Sequence, residues 1–419
     1  MNKTTFFLKL TLIVLLIAPL NVSAIKKNRV KKGYHPVVQE LKNMYNTDKD
    51  FKLLMDDAIK SAVVPPYGWP VNPENQTELF VWPEKNFDDL LNFFQSWLHF
   101  VPNATNGMDY YIIIYSLCYN NDNALRFVNK EPGLSWTKRY VEARGEYMDS
   151  TASINDHIET MQEWKETLGA KWNDYEPPHS ANVGFEGYKT FNEFFTRNIK
   201  EGKRPVNDPL NNNVLTAPAD GIVNIINENL STNSRINTKY DEYLNVDQLL
   251  GGSEYAKYFI GGTATGTVLL PPDYHHYHSP ITGKVVETKA LAADGGVYFG
   301  MDGQFFTYSN NGNVGGYKSQ YGVFGVYHRG YYIIETKEHG YIAMIAVGLD
   351  DISSINFEKK FEPKNIAQTR QGVRVNKGEK IGHFAYGGST VILLFEPGVL
   401  EAVKLNEGAQ LGIINKKKR

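Results

Sequence analysis

Gly387-Gly388-Ser389-Thr390 places a nucleophilic hydroxyl after two residues whose backbone no side chain restrains. The run that follows, Val391-Ile392-Leu393-Leu394-Phe395, reads as a buried strand that would hold the serine rigidly. This suits a serine that attacks its own main chain, at the carbonyl of Gly388. Most such tetrapeptides are turns, so the weight rests on partners upstream. These are Phe191-Asn192-Glu193-Phe194-Phe195-Thr196-Arg197, Pro218-Ala219-Asp220-Gly221 and Asp273-Tyr274-His275-His276-Tyr277-His278. An attacking hydroxyl must lose its proton, a histidine can take it, and a carboxylate can orient the histidine. His278 and Asp220 are candidates for those two roles.

The same trio would serve an ordinary secreted serine hydrolase, and spacing alone does not separate hydrolysis from self-processing. The Gly-x-Ser-x-Gly elbow is absent around Ser389, which counts against an α/β-hydrolase. Each motif also has a plain reading. Asp220-Gly221 alone is a turn. The histidine cluster lacks the i, i+4 spacing of a helical zinc motif, so no metal is assigned. In an extended segment His276 is expected to face away from His275 and His278, as a surface or supporting residue. Phe191, Phe194 and Phe195 read as core anchors, and Arg197 and Arg204 as ion-pair or capping groups.

These residues need a scaffold. The chain has 419 residues, 42% of them hydrophobic, enough for two domains. Lys+Arg 44 against Asp+Glu 46 gives no global charge that would call for nucleic acid. The expected fold class is α+β: a helical N-terminal domain over 25–185, then a β-rich, sandwich- or barrel-like catalytic domain over 186–419. Phe87, Leu90, Leu91, Phe94, Trp97 and Leu98 fall on one helical face. So do Ile154, Ile158, Met161, Trp164 and Leu168, with Ser153 as cap and Gly169 as stop. Pro65-Pro66 and Pro177-Pro178 punctuate the region, and the second pair marks the boundary. Strands are expected at Gly221 to Ile226, Thr267 to Leu270, Lys284 to Thr288, Tyr331 to Glu335 and Tyr341 to Val347. Gly372 to Gly382 reads as a strand, a tight turn and a strand.

Residues 1–24 read as a signal peptide. Lys3 and Lys9 precede a short apolar run from Leu10 to Leu20, and Val22-Ser23-Ala24 offers a cleavage site. The run is shorter than the roughly 20 residues that span a bilayer, which favours cleavage over a retained anchor. The protein is therefore expected to be exported, periplasmic or secreted. Cys118 is the one cysteine, so no intrachain disulfide forms, and its apolar neighbours make it a buried, inert thiol. The tail Asn415-Lys416-Lys417-Lys418-Arg419 reads first as solvated. It is also the feature that would give peripheral membrane contact, at about 1 kcal/mol per charge near anionic lipid.

Four segments, in order, resemble the phosphatidylserine decarboxylase family of pyruvoyl enzymes. They are Phe191 to Pro205 (FNEFFTRNIKEGKRP), Leu215 to Val223 (LTAPADGIV), Leu269 to Gly283 (LLPPDYHHYHSPITG) and Gly382 to Phe395. The resemblance covers roughly residues 186 to 405. It implies a zymogen in which Ser389 attacks Gly388 and forms an oxyester. Elimination then releases the upstream chain, and the dehydroalanine left behind hydrolyses to a pyruvoyl group. Asp220 and His278 match the family's carboxylate and histidine for self-cleavage. His275 matches a second histidine, a candidate proton donor in decarboxylation. The cofactor would thus be made from residue 389. It would condense with a substrate amine and accept the electrons left when carbon dioxide departs, as pyridoxal phosphate does elsewhere. The two fragments are expected to stay associated, because the residues after 389 form a core strand.

By family default the substrate is phosphatidylserine, converted to phosphatidylethanolamine. Two departures bear on this. Gly387 precedes Gly388 where the family commonly has Leu or Val, and His276 stands where Arg is frequent. Arg suits phosphate and carboxylate; Arg329, in Tyr327-His328-Arg329-Gly330, is an alternative holder of an acidic group. His35-Pro36-Val37-Val38-Gln39-Glu40 and the helical region after it resemble a soluble branch of the family that includes fungal tryptophan decarboxylases. A free aromatic amino acid is therefore the alternative substrate. A non-catalytic exported binding module is the rival of another class, and the presence of Ser389, His278 and Asp220 argues against it.

Overall fold

The computed structural model describes residues 33–61, 86–104, 122–129, 131–237, 243–291, 329–348, 355–385 and 389–403. The signal peptide, Pro65-Pro66, Cys118, Gly387, Gly388 and the basic tail lie outside the described residues, as does the side chain of Ser389.

Helices come first, each begun by local chemistry. Helix α1 (Pro36–Thr47) has proline at its first position and the His35 ring accepting from the Val37 amide. Helix α2 (Lys49–Lys60) starts where the Asp48 carboxylate accepts from the amides of Asp50 and Phe51. Helix α3 (Phe87–Leu98) opens with a reciprocal box between Asn86 and Asp89, and its predicted apolar stripe is buried throughout. Helices α4 (Asp122–Asn129) and α5 (Gly133–Met148) follow.

The second predicted stripe is not one helix. It breaks into α6 (Ala152–Asn155) and α7 (Ile158–Leu168) because His157 leaves helical geometry, with its Nε2 3.0 Å from the Tyr147 hydroxyl. Ser153 sits inside α6 instead of capping a helix. Its hydroxyl points to the carbonyls of Met148 and Ser150 and accepts from the Phe191 amide at 2.8 Å. Ile158 is 45% exposed, so it is not part of the core face. Gly169, at φ +53°, does end α7.

The strands build an antiparallel sheet of seven: β3 (Ile222–Asn227), β6 (Thr263–Leu269), β8 (Gly283–Leu291), β9 (Arg329–Glu335), β10 (Tyr341–Val347), β12 (Val373–Val375) and β14 (Ser389–Phe395). Their spatial order is β12-β8-β9-β10-β14-β6-β3. Three shorter strands, β7 (His276–His278), β11 (Ile355–Phe357) and β13 (Lys380–Phe384), form a second sheet in the order β11-β13-β7. Two two-stranded ribbons, β1 (Tyr175–Glu176) with β2 (Asn198–Ile199) and β4 (Ile236–Asn237) with β5 (Tyr243–Leu244), complete the strands among the described residues.

Alternation along each strand divides the large sheet into two buried faces. Tyr331, Ile333, Ala343, Ile345, Ile392 and Leu394 pack into one cluster with helical residues such as Trp97 and Trp136. Tyr332, Ile334, Met344, Val391, Leu393 and Phe395 face the smaller sheet, against Tyr277, Ile381 and Phe384. Burial on both faces explains why these strands are continuous apolar runs instead of alternating ones. The architecture is α+β, with helices, a large sheet and a small sheet in layers. The strand-turn-strand at 372–382 is not a hairpin. β12 pairs with β8 in the large sheet, while β13 pairs with β7 and β11 in the small one. The turn between them carries the chain across the layers. Among the described residues no helix is long and apolar enough to cross a membrane.

Candidate active site

Helix α8 (Phe191–Phe195) is capped by Thr190, whose hydroxyl accepts from the Glu193 amide at 3.1 Å. Phe191, Phe194 and Phe195 are buried with Trp164 and Tyr274, as anchors should be. Arg197 follows and is also buried. Its guanidinium lies over the rings of Tyr175 and Phe194 and donates to the carbonyls of Pro272 (2.7 Å) and Asp273 (3.0 Å). The first motif thereby holds the turn that opens the third. Within that turn the Asp273 carboxylate accepts from the Leu270 amide at 2.7 Å, and the Asp273 amide donates to the Leu270 carbonyl at 2.9 Å. Burial pushes the Asp273 carboxyl above the usual range.

Beyond the turn, Tyr274, His276 and His278 share one side of the chain. The rings of Tyr274 and His276 stack at 4.8 Å and 5°, and His276 stacks in turn on His383 at 5.1 Å. His276 Nε2 meets the Thr196 carbonyl at 2.8 Å, while Nδ1 has no hydrogen-bond partner among the described residues. Burial lowers the pKa of His276 to about 3 and that of His383 to about 4. His275 turns to the other side, with its ring 4.1 Å from Phe195 and Nδ1 2.9 Å from the Asp273 carbonyl. The expectation for His276 is therefore corrected: it is buried and shares its face with His278, since i and i+2 coincide on a strand. Among the described residues no three His, Cys, Asp or Glu side chains form a metal site.

His278 is fixed from three directions. Its amide donates to the Pro218 carbonyl at 2.7 Å, Nδ1 lies 2.8 Å from the Gly378 carbonyl, and Nε2 lies 3.3 Å from the Tyr274 hydroxyl. A carbonyl only accepts, so Nδ1 carries the proton and the neutral ring keeps a lone pair on Nε2. Burial holds the His278 pKa down, helped by Lys380 and opposed first by the bond to the Gly378 carbonyl and then by Asp220 and Glu358. A neutral imidazole with its lone pair on Nε2 is the form a general base requires.

Asp220 stands in the same corner but does not touch that ring. Its carboxylate is gripped by Arg204, through Nε at 3.1 and 3.2 Å and Nη2 at 2.9 Å. Sequence reasoning expected the carboxylate to orient the histidine; the Gly378 carbonyl does so, because the guanidinium fork takes both carboxylate oxygens. Asp220 acts on His278 through its charge. Gly221, at φ +152°, has no room for a side chain, since a Cβ there would overlap the Val268 carbonyl oxygen. From there β3 runs beside β6 (Ile222 opposite Val268), and β6 beside β14 (Val268 opposite Thr390, Leu269 opposite Ser389). Asp220, the Leu270–Asp273 turn and the main chain of Ser389 thus meet at one end of the large sheet.

Arg329 opens β9 at this same end of the large sheet, since Val347 pairs with both Arg329 and Thr390, but its guanidinium turns to main-chain carbonyls. It is fully buried and donates to the carbonyls of Leu249 (3.2 Å) and Gln248 (2.6 Å), at the end of helix α9 (Val246–Leu249). Through these bonds it closes a helix terminus. Sequence reasoning missed Gly378 and His383. A carbonyl acceptor leaves no signature in residue type, while His383 was signalled by its place inside the fourth family segment, Gly382 to Phe395.

The profile of the phosphatidylserine decarboxylase family matches residues 191–413, just over half of the chain. Phosphatidylserine decarboxylase proenzyme 3 of Schizosaccharomyces pombe is 34% identical over 213 residues, 51% of this chain and 19% of that protein. The phosphatidylserine decarboxylase proenzyme of Myxococcus xanthus is 33% identical over 248 residues, 56% of this chain and 81% of that protein. Decarboxylase iboD of Amanita muscaria is 28% identical over 251 residues, 57% of this chain and 67% of that protein. The chain belongs to the phosphatidylserine decarboxylase family, a family of carboxy-lyases. It spans about a fifth of the Schizosaccharomyces pombe relative's length.

Proposed function

We propose that this protein is a zymogen that cuts itself between Gly388 and Ser389 and then works as a pyruvoyl-dependent decarboxylase. One observation carries the reading: the family match runs through residue 389, and that residue opens β14, an interior strand of the large sheet. The residues present fit a group made from Ser389. Its main chain is anchored opposite Leu269, and His278 is a half-buried neutral base at the same end. In this reading His278 Nε2 takes the Ser389 hydroxyl proton as Oγ attacks the Gly388 carbonyl. The Gly388–Ser389 amide becomes an ester, and elimination breaks that ester with Gly388 as the leaving carboxylate. Water then removes ammonia from the dehydroalanine. Asp220 supplies negative charge that eases protonation of His278 during attack. Once formed, the pyruvoyl carbonyl supplies an electron sink to an amine substrate that loses carbon dioxide. His275 is assigned delivery of a proton to the substrate carbon.

Phosphatidylserine is the substrate named by most of the relatives and is the first reading, with phosphatidylethanolamine as product. A free aromatic amino acid is the second. Buried, neutral His276 gives no positive charge for a phosphate at neutral pH, and the similarity to decarboxylase iboD covers two thirds of that protein. Export after signal cleavage, peripheral membrane contact and lasting association of the two fragments belong to the same proposal.

Intact-mass spectrometry of the purified protein tests it. A fragment ending at Gly388, with a partner starting in a pyruvoyl group, is expected, together with an uncut Ser389→Ala chain. Carbon dioxide release from phosphatidylserine vesicles and from tryptophan then separates the substrates. A single uncut wild-type chain with full decarboxylase activity would sink the mechanism.

A further inference from the structure

We propose that Tyr274 is a positioning residue for self-processing, its hydroxyl holding the Nε2 lone pair of His278. This rests on reading His278 as the base. The direction of the bond follows from the other side of the ring. Nδ1 faces the Gly378 carbonyl at 2.8 Å and must be the protonated nitrogen, so Nε2 can only accept and the Tyr274 hydroxyl, 3.3 Å away, must donate. Burial raises the pKa of Tyr274, which keeps it a phenol and a donor at all working pH.

The tyrosine is itself rigidly placed. Its ring stacks on His276, and His276 is tied to the Thr196 carbonyl. The residue before it is held by Arg197 through the Asp273 carbonyl. His278 is therefore clamped at both nitrogens, by a carbonyl and by a phenol. A donor on the lone pair favours the neutral ring and fixes its plane. The other groups acting on His278 are Asp220 before β3, Lys380 on β13, Glu358 after β11 and His276 on its own strand. The phenol differs from all of them in touching Nε2; it sets the ring plane before attack and must give up that single lone pair as the serine hydroxyl arrives with its proton.

The test uses the full chain carrying Ser389→Ala, which cannot be cut at that site. Titration of the His278 imidazole is followed by NMR in this protein and in the Tyr274→Phe, Ser389→Ala double variant. Loss of the donor should move the His278 midpoint to higher pH. Replacing Tyr274 by 3-fluorotyrosine, a stronger donor of the same shape, should move it to lower pH. That second probe decides the matter if the phenylalanine variant folds poorly. With Ser389 restored, Tyr274→Phe should slow self-cleavage several-fold at pH 7 and shift the acid limb of its rate profile upward. A midpoint that stays in place in both probes overturns the assignment of Tyr274. An unchanged cleavage rate with shifted midpoints also overturns it, since contact without consequence is not positioning. A wild-type chain that never cuts overturns instead the self-processing reading, which the NMR titration does not depend on.

Discussion

Replacing Arg197 by methionine should weaken the fold and the candidate site together. The guanidinium donates to the Pro272 and Asp273 carbonyls at 2.7 and 3.0 Å, with a longer bond of 3.3 Å to Phe194. Charge-assisted bonds contribute roughly 1.5–3 kcal/mol each, so the two short ones give about 3–6 kcal/mol before any offset. The cation over Tyr175 at 4.2 Å adds about 1–2 kcal/mol. Against this stands the cost of burying the charge, several kcal/mol on its own, and Nε has no hydrogen-bond partner among the described residues. Methionine removes that cost and keeps most of the apolar contact, leaving a net loss of about 2–4 kcal/mol. Urea unfolding in the Ser389→Ala background measures it on an uncut chain. The Ser389-containing variant should also process more slowly, because the Leu270–Asp273 turn loses its clamp. A variant within about 0.5 kcal/mol of its parent that cuts at the parental rate would refute the idea that Arg197 holds this turn.

Acidification should destabilise the protein through its stacked histidines. His276 and His383 have folded pKa values of about 3 and 4, below the unfolded value of 6.5, so the unfolded chain binds more protons between those limits. Stability is then lost as pH falls below about 6.5, by about 2 kcal/mol per ring at pH 5. Asp273, whose pKa burial raises, works the other way at lower pH. Urea midpoints at pH 7 and pH 5 should diverge more for the parent than for His383→Gln, and equal differences would contradict the assignment. Gly382→Ala should cost at least about 1–3 kcal/mol as overpacking, since the new Cβ would overlap the Tyr277 hydroxyl and the Asn356 carbonyl oxygen. A thermal midpoint equal to the parent's would show that β11 and β13 can part to admit it.

Element types were largely legible in the sequence, because apolar periodicity reports them directly. The stripe from Phe87 to Leu98 and the runs at 331–335 and 341–347 are examples. What periodicity could not show was partnership. Nothing in Gly372 to Gly382 tells that its two strands enter different sheets, as only long-range pairing decides that. The break at His157 likewise depends on Tyr147, a tertiary contact overriding helical pattern. At the site, the side chains that carry chemistry were visible as motifs, but their wiring was not. Arg204 takes the Asp220 carboxylate, and a main-chain carbonyl orients His278. Neither follows from residue type. The face of His276 was open to simple counting along the strand, which pairs it with His278.

Strand β14 lies in the interior of the large sheet, hydrogen-bonded to β10 on one edge and β6 on the other, with Val391 to Phe395 buried. A break just before its first residue would leave the folded contacts intact while changing what unfolding means. In the uncut chain the strand leaves and returns on a tether. In the cut one, losing it is dissociation of a second polypeptide, so the midpoint of denaturation would rise with protein concentration. Recovery would then require two separate chains to meet. The working lifetime of such a molecule would be governed by how slowly it opens, not by how readily it refolds.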